Sequence, residues 1–251
     1  MPAWIEYLVY VLVGIISGSL NTVAGGGSLI SIPLLIFMGL PGTVANGTNR
    51  VAILTQNIFA VGGFHSKGVK LPIPYIYFLC IASLAGGLIG ALLATDISDI
   101  VFNRILAVVM ILVVLSIVFN PAIKKNDGVE KMSRFNQATG TTMFFFLGIY
   151  GGFLQAGIGF LVIALLTHVN NFSLIKINYI KVFAALLYTG VAVIIFAIED
   201  KISWTIGITL AIGQGIGGWY ASRWSVDKGE KWIKRVLVVS VVAMAIKLWF
   251  F

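Results

Sequence analysis

Hydrophobic and polar positions alternate along this chain in long blocks, not in the short periods of a water-soluble fold. Five apolar segments occupy the first half, at about 5–22, 28–38, 44–64, 73–94 and 101–119. Five more follow, at about 138–155, 160–169, 174–198, 202–222 and 232–250, and the polar stretch 120–137 separates the two sets. Most segments are long enough for a helix to cross a hydrocarbon core of about 30 Å. The second of each set has only about 10 residues, which at about 1.5 Å per residue reaches half that depth. These two short pieces are expected to be broken or re-entrant helices. The expected fold class is all-α: a polytopic membrane bundle of two inverted-topology repeats, each of about five hydrophobic segments.

The halves correspond in sequence as well as in pattern. Gly14 and Gly18 answer to Gly148 and Gly152, and Gly86 and Gly90 to Gly213 and Gly217. After a two-residue gap, Ala24-Gly25-Gly26-Gly27-Ser28-Leu29 answers to Ala156-Gly157-Ile158-Gly159-Phe160-Leu161, while Asn21 matches Gln155, Asn46 matches Asn178 and Asn49 matches Lys181. The division read from this is a first repeat over 1–119, a central cytoplasmic linker over 120–137 and a second repeat over 138–251. Loop charge exchanges between the copies. His65, Lys67 and Lys70 follow the third segment but Glu199, Asp200 and Lys201 follow the eighth; Asp96 and Asp99 follow the fourth but Arg223, Lys228, Lys231, Lys234 and Arg235 surround the end of the ninth. Placing the basic loops and the linker's Lys124, Lys125, Lys131 and Arg134 in the cytoplasm puts both termini outside. The start, Met1 to Glu6, has no basic signal-peptide region and reads as mature.

Composition strengthens the membrane reading. Of 251 residues 59% are hydrophobic and 10% charged, where soluble domains carry about 25% charged residues, and mean hydropathy is +1.01. The net charge of +8 suggests nucleic acid until its position in short loops is seen, and no nucleic-acid partner is expected. The single Cys80 excludes an intrachain disulfide. Many of the 28 glycines suit close helix packing in lipid. Gly86-Gly87-x-x-Gly90 and Gly213 to Gly218 could pack within one chain or between copies, so a homo-oligomer stays possible.

The richest chemistry lies where Asn21-Thr22-Val23-Ala24-Gly25-Gly26-Gly27-Ser28 interrupts a hydrophobic run. Backbone freed at membrane depth must be satisfied by protein, water or ligand. A helix starting near Ser28 would aim its amides and positive dipole end into the break, which suits an anion; Gln155, Gly157 and Gly159 would supply a second such end. The alternative is that the glycines only permit helix crossing. Asn46, Thr48, Asn49 and Arg50 form a polar group at the head of the third segment, and Asn178 and Lys181 sit at the matching place in the eighth. Arg50 and Lys181 either line a cavity or snorkel to the headgroups. The expected membrane interior holds no carboxylate, since Glu6, Asp96, Asp99, Glu199 and Asp200 lie near segment ends, so an acidic proton relay is not evident and a cationic substrate is disfavoured; His65 and His168 read as interfacial or structural. The expected partners are a small anionic substrate and the lipid bilayer, with no cofactor and no metal site.

The run Gly25-Gly26-Gly27-Ser28-Leu29, then Pro33, then Ala45-Asn46-Gly47-Thr48-Asn49 resembles the sulfite exporter TauE/SafE family of membrane permeases, as do the chain length, the two halves and the central loop. The resemblance implies export or uptake of sulfite, of sulfonates such as sulfoacetate, or of related organosulfur anions, without selecting among them. The second half departs from the motif, with Lys176-Ile177-Asn178-Tyr179-Ile180-Lys181 at the matching place, which argues against a symmetric site.

A secondary transporter working by alternating access is the leading expectation. An anion channel is the nearest alternative, since fixed half-helix dipoles can also line a pore. A membrane-embedded hydrolase is the other, disfavoured because neither a Gly-x-Ser-x-Gly nor a His-Glu-x-x-His run is present. No enzyme activity is expected.

Overall fold

A computed structural model describes residues 3–119, 129–228 and 235. Its described elements are all helical: α1 (Ala3–Val23), α2 (Ser28–Phe37), α3 (Gly42–Ser66), α4 (Tyr75–Thr95), α5 (Asp99–Phe119), α6 (Arg134–Phe153), α7 (Ile158–Val169), α8 (Leu174–Ile198) and α9 (Trp204–Lys228). The expected tenth segment, 232–250, and most of the linker lie outside the described residues. α6 begins at Arg134, ahead of the expected 138, because Ser133 caps it by accepting from Asn136 N. Among the described helices α1, α4 and α8 are long and apolar enough to cross a membrane by length and composition. α3, α6 and α9 are as long but carry more polar residues and glycine.

Glycine sets how these helices meet. Gly14 and Gly18 lie against the backbone of Leu210 and Gln214, while Gly213 and Gly217 lie against that of Val11 and Ile15. Gly86 and Gly90 likewise meet the backbone of Phe145 and Ile149, and Gly148 and Gly152 meet that of Ser83 and Gly87. Thus α1 packs parallel to α9, and α4 parallel to α6, through the glycines matched in sequence. Small residues let backbones approach where lipid supplies no hydrophobic drive. The small-residue faces of α4 and α9 are therefore used within the chain.

The remaining contacts give the directions. Gly207 against Thr48 and Gly63 against Ser222 make α3 parallel to α9, and Tyr75 near Phe172, Gly87 against Tyr188 and Ala94 in one cluster with Phe196 make α4 parallel to α8. Arg50 lies over Phe196, and Phe64 stacks on Tyr179, so α3 and α8 are antiparallel. Hence α1, α3 and α9 run one way and α4, α6 and α8 the other, an inverted arrangement in which each helix opposes its sequence counterpart. The largest apolar core joins α4, α6, α7 and α8 around Tyr75, Leu79, Ile163 and Ile180; a second joins α1, α2, α3, α5 and α9 around Leu29, Ile32, Phe102 and Leu210; smaller ones join α4 to α8 at Ala91 and Phe196 and α3 to α8 at Phe64 and Tyr179. Large apolar side chains such as Ile81, Leu92 and Ile208 point outward, as lipid-facing positions do.

Two polar faces result. At one, Lys67 pairs with Asp227 at 2.6 Å and Lys176 with Glu130 at 2.7 Å. His65, Lys70, Lys131, Arg134 and Arg223 belong to the same ends. At the other, Asp99 Oδ1 accepts from Thr43 N and Oγ1, both at 2.8 Å, capping α3, and Lys201 Nζ donates to Thr95 O at 2.8 Å. Glu6, Asp96, Glu199 and Asp200 share that acidic face.

Candidate functional site

Both short helices follow a true break. α1 ends at Val23, the amides of Ala24 and Gly25 both turn back to Leu20 O, and Gly25 takes φ +88°. α6 ends at Phe153, the amides of Leu154 and Gln155 both turn back to Tyr150 O, and Gln155 takes φ +63°. Gly27 and Gly157 then precede α2 and α7. Counted from the helix ends Gly27 corresponds to Gly157 and Gly25 to Gln155, a register two residues from the sequence match, while by conformation Gly157 at φ +74° matches Gly25 and Gly27 has φ −57°. The cause lies upstream: α1 runs on to Val23 beyond its crossing at Gly18, while α6 stops directly after Gly152. Gly25 and Gly159 press against each other, and a Cβ on either would lie 2.2 Å from the other's Cα. The two breaks cross at that contact.

The carbonyl end of each broken helix is capped from the opposite half. Lys181 Nζ donates to Asn21 O, Thr22 O and Asn178 Oδ1, each at 2.9 Å, and Asn178 Nδ2 donates to Val23 O at 3.1 Å. Arg50 Nη1 donates to Gly151 O at 2.9 Å and to Gln155 Oε1 at 3.3 Å, its Nη2 to Gly152 O at 2.6 Å, and Asn46 Nδ2 to Phe153 O at 2.8 Å. Counted from each helix end, the three carbonyls on one side are the equivalents of the three on the other. A cation is favourable there because unpaired carbonyls and the dipole make a helix C-terminus negative. Arg50 is fully buried and Lys181 is 6% exposed, so neither snorkels. Lys181 spends all three N–H bonds on its cap. Arg50 keeps an unpartnered Nε.

The other expected site residues divide. Ser28, the first residue of α2, has a buried hydroxyl without a partner. Asn49 Oδ1 accepts from Ser31 Oγ at 2.7 Å and from Gln214 Nε2 at 3.3 Å, which leaves its Nδ2 unpartnered. Gln155 Nε2 donates to Thr189 Oγ1 at 3.1 Å. Asn21 Nδ2 donates to Gln56 Oε1 at 2.6 Å, on the α1 side of the break. Thr48 is not brought in, for its hydroxyl accepts from Ser203 N at 2.9 Å at the start of α9. Gly26 completes the first break between Gly25 and Gly27. Sequence reasoning missed Ser31, Gln56, Asn57, Thr189 and Gln214. The signal was available for α3: Asn46, Asn49 with Arg50, and Gln56 with Asn57 recur at helical spacing on one stripe of an otherwise apolar helix.

The arrangement is rich in donors. Ser28 Oγ at the N-terminal end of α2, Asn49 Nδ2 and Arg50 Nε on α3 are buried without partners, and the acids of the described residues lie at the two polar faces. Such a site stabilises negative charge through fixed dipoles and a guanidinium.

Known proteins resemble the chain along most of its length. The family model described as sulfite exporter TauE/SafE matches residues 10–248. A probable membrane transporter protein of Sinorhizobium sp, ORF9, is 30% identical over 239 residues, 93% of this chain and 88% of its own length. A probable membrane transporter protein of Haemophilus influenzae is 25% identical over 236 residues, 94% of this chain and 91% of its own. The probable membrane transporter protein YfcA of Escherichia coli is 27% identical over 245 residues, 94% and 87% respectively. No solved structure matches the chain.

Proposed function

The chain belongs to the sulfite exporter TauE/SafE family, and from that premise we propose that it carries a small sulfur oxyanion or sulfonate across the cytoplasmic membrane by alternating access. It is a membrane transporter, not an enzyme. The observation that carries the anion reading is a pair of buried, unpartnered donors, Ser28 Oγ at the start of α2 after the first break and Arg50 Nε on the guanidinium that caps α6 at the second, the two breaks meeting at Gly25 and Gly159. A donor without a partner in hydrocarbon is costly, and an oxyanion offers acceptors to both.

In this reading the Ser28 hydroxyl at the N-terminal end of α2 holds the anion head group, Asn49 adds a neutral hydrogen bond and Arg50 supplies the charge. Gly25 and Gly159 allow the two breaks to cross, Gly27 lets the start of α2 lie against the Ser17 backbone, and Gly26 and Gly157 complete the two breaks. Asn178, Lys181 and Gln155 act as positioning residues that fix the two broken helices. The basic face, with Lys67, Lys70 and Lys131, is assigned to the cytoplasm and the acidic face, next to the start of α1, to the outside. Residues 1–119 and 138–251 form the two repeats, and movement of one against the other about Gly25 and Gly159 would expose the site to each face in turn.

Uptake of labelled sulfite and sulfoacetate into proteoliposomes, with acetate as control, tests the assignment. The expected outcome is saturable sulfur-anion flux that falls by about tenfold or more in Ser28→Ala and Arg50→Gln, the loss of a hydrogen bond to a charged group. Equal flux in the variants and the parent rejects this site.

A further inference from the structure

One hydroxyl fixes the polarity of the cluster where α1 meets the middle of α3. Thr22 Oγ1 donates its proton to Gly18 O at 2.8 Å, so toward Gln56 at 3.0 Å it acts only as acceptor. Gln56 therefore presents its NH2 to Thr22 and its Oε1 to Asn21 Nδ2. The same Gln56 Nε2 donates to Asn57 Oδ1 at 3.2 Å, which turns the other end of Asn57 away. Asn57 Nδ2 is left buried with no partner, on a residue 1% exposed. Turning over the Asn57 amide gives no relief, because two NH2 groups would then face each other. The contrast with Asn49 is instructive. Its unpartnered Nδ2 and the unpartnered Oε1 of Gln214 flank one Nε2–Oδ1 bond, so rotating both amides together exchanges donor for acceptor. At Asn57 the same exchange would need Asn21, Gln56 and Asn57 to rotate together and Thr22 to give up its bond to Gly18 O.

Asn57 follows Arg50 by two helical turns, about 10 Å of rise on the same face of α3, toward the end that carries His65 and Lys67. Arg50 Nε and Asn57 Nδ2 are thus two unpartnered donors on one stripe, the first beside the break and the second nearer the basic face. A neutral amide holds an oxyanion weakly, and release from a path requires sites weak enough to leave.

We propose that Asn57 Nδ2 is a second binding point for the transported anion, contacting one of its oxygens between the helix break and the basic face. This rests on the transporter reading above. The test is flux of labelled sulfite and sulfoacetate through the full chain, reconstituted separately in each orientation. Asn57→Leu removes the donor, Asn57→Ser shortens it and Asn57→Gln retains an NH2. Asn57→Leu and Asn57→Ser are expected to raise KM by about tenfold for entry from the basic face and to leave KM from the acidic face unchanged, with Asn57→Gln near the parent value. KM unchanged at both faces in Asn57→Ser, or raised equally at both, overturns the second point while the first site stands. A parent protein that moves neither probe removes the premise itself.

Discussion

Asn46, Thr48, Asn49 and Arg50 sit within little more than one turn of α3, yet they do not share one neighbour. Asn46 and Arg50 hold the end of α6, Asn49 meets Ser31 and Gln214, and Thr48 reaches Ser203. Successive residues on a helix point about 100° apart, so adjacency in sequence separates their roles. Thr48→Val is expected to leave the Ser203 amide without its acceptor and to cost about 1–3 kcal/mol of stability, read as a lower thermal midpoint with sulfite KM retained. A changed KM at unchanged stability would return Thr48 to the site. Arg50→Lys keeps the charge but loses the planar fork that spans two carbonyls; flux is expected to fall by about tenfold or more, and parent-like flux would mean that charge alone suffices. The residue types of this group were legible in the sequence, since polar groups in an apolar helix must be used. Their directions were not, because helix phase is set by the neighbours. Gln56 and Asn57 were readable from the same periodicity, and Gln214 only from packing.

At the scale of elements, the two breaks were legible from the glycine run and the short apolar pieces, but their geometry was legible in the first half only. Gly25 at φ +88° is a residue suited to the left-handed region, whereas Gln155 at φ +63° is not. No composition signal marks Gln155, so the sequence match was drawn through Ala156 and Gly157; it pairs two glycines of positive φ, Gly25 and Gly157, but stands two residues from the register counted from the helix ends. Gly25→Ala and Gly39→Ala separate conformation from contact. Both positions have positive φ, at +88° and +97°, but a Cβ at Gly39 meets nothing within 4 Å while one at Gly25 meets Gly159 backbone at 2.2 Å. Gly39→Ala is expected to lose about 1–2 kcal/mol through strain alone with transport intact. Gly25→Ala is expected to lose transport altogether. Similar behaviour of the two in a paired thermal-midpoint and flux measurement would show that the crossing is not tightly packed.

For the whole molecule, the opposed directions of α1 and α6, of α3 and α8, and of α4 and α9 were foreshadowed by exchanged loop charge, because inversion carries equivalent loops to opposite faces. What the sequence did not disclose is that the halves cap one another: Lys181 and Asn178 hold α1, while Arg50 and Asn46 hold α6. Such pairing depends on which helices meet, and sequence periodicity carries no information on that. The assigned orientation is open to chemical labelling. In a Cys80→Ser background, Lys70→Cys is expected to react with a membrane-impermeant maleimide only from the cytoplasm and Asp200→Cys only from outside; the reverse would invert the topology. The central claim, that the first helix break binds an anion, is met most directly by anomalous scattering from crystals soaked in selenite, a heavier analogue of sulfite. The account predicts a selenium peak within hydrogen-bond reach of Ser28 Oγ and Arg50 Nε. Strong selenium peaks elsewhere in the bundle, with none at that break, would contradict it.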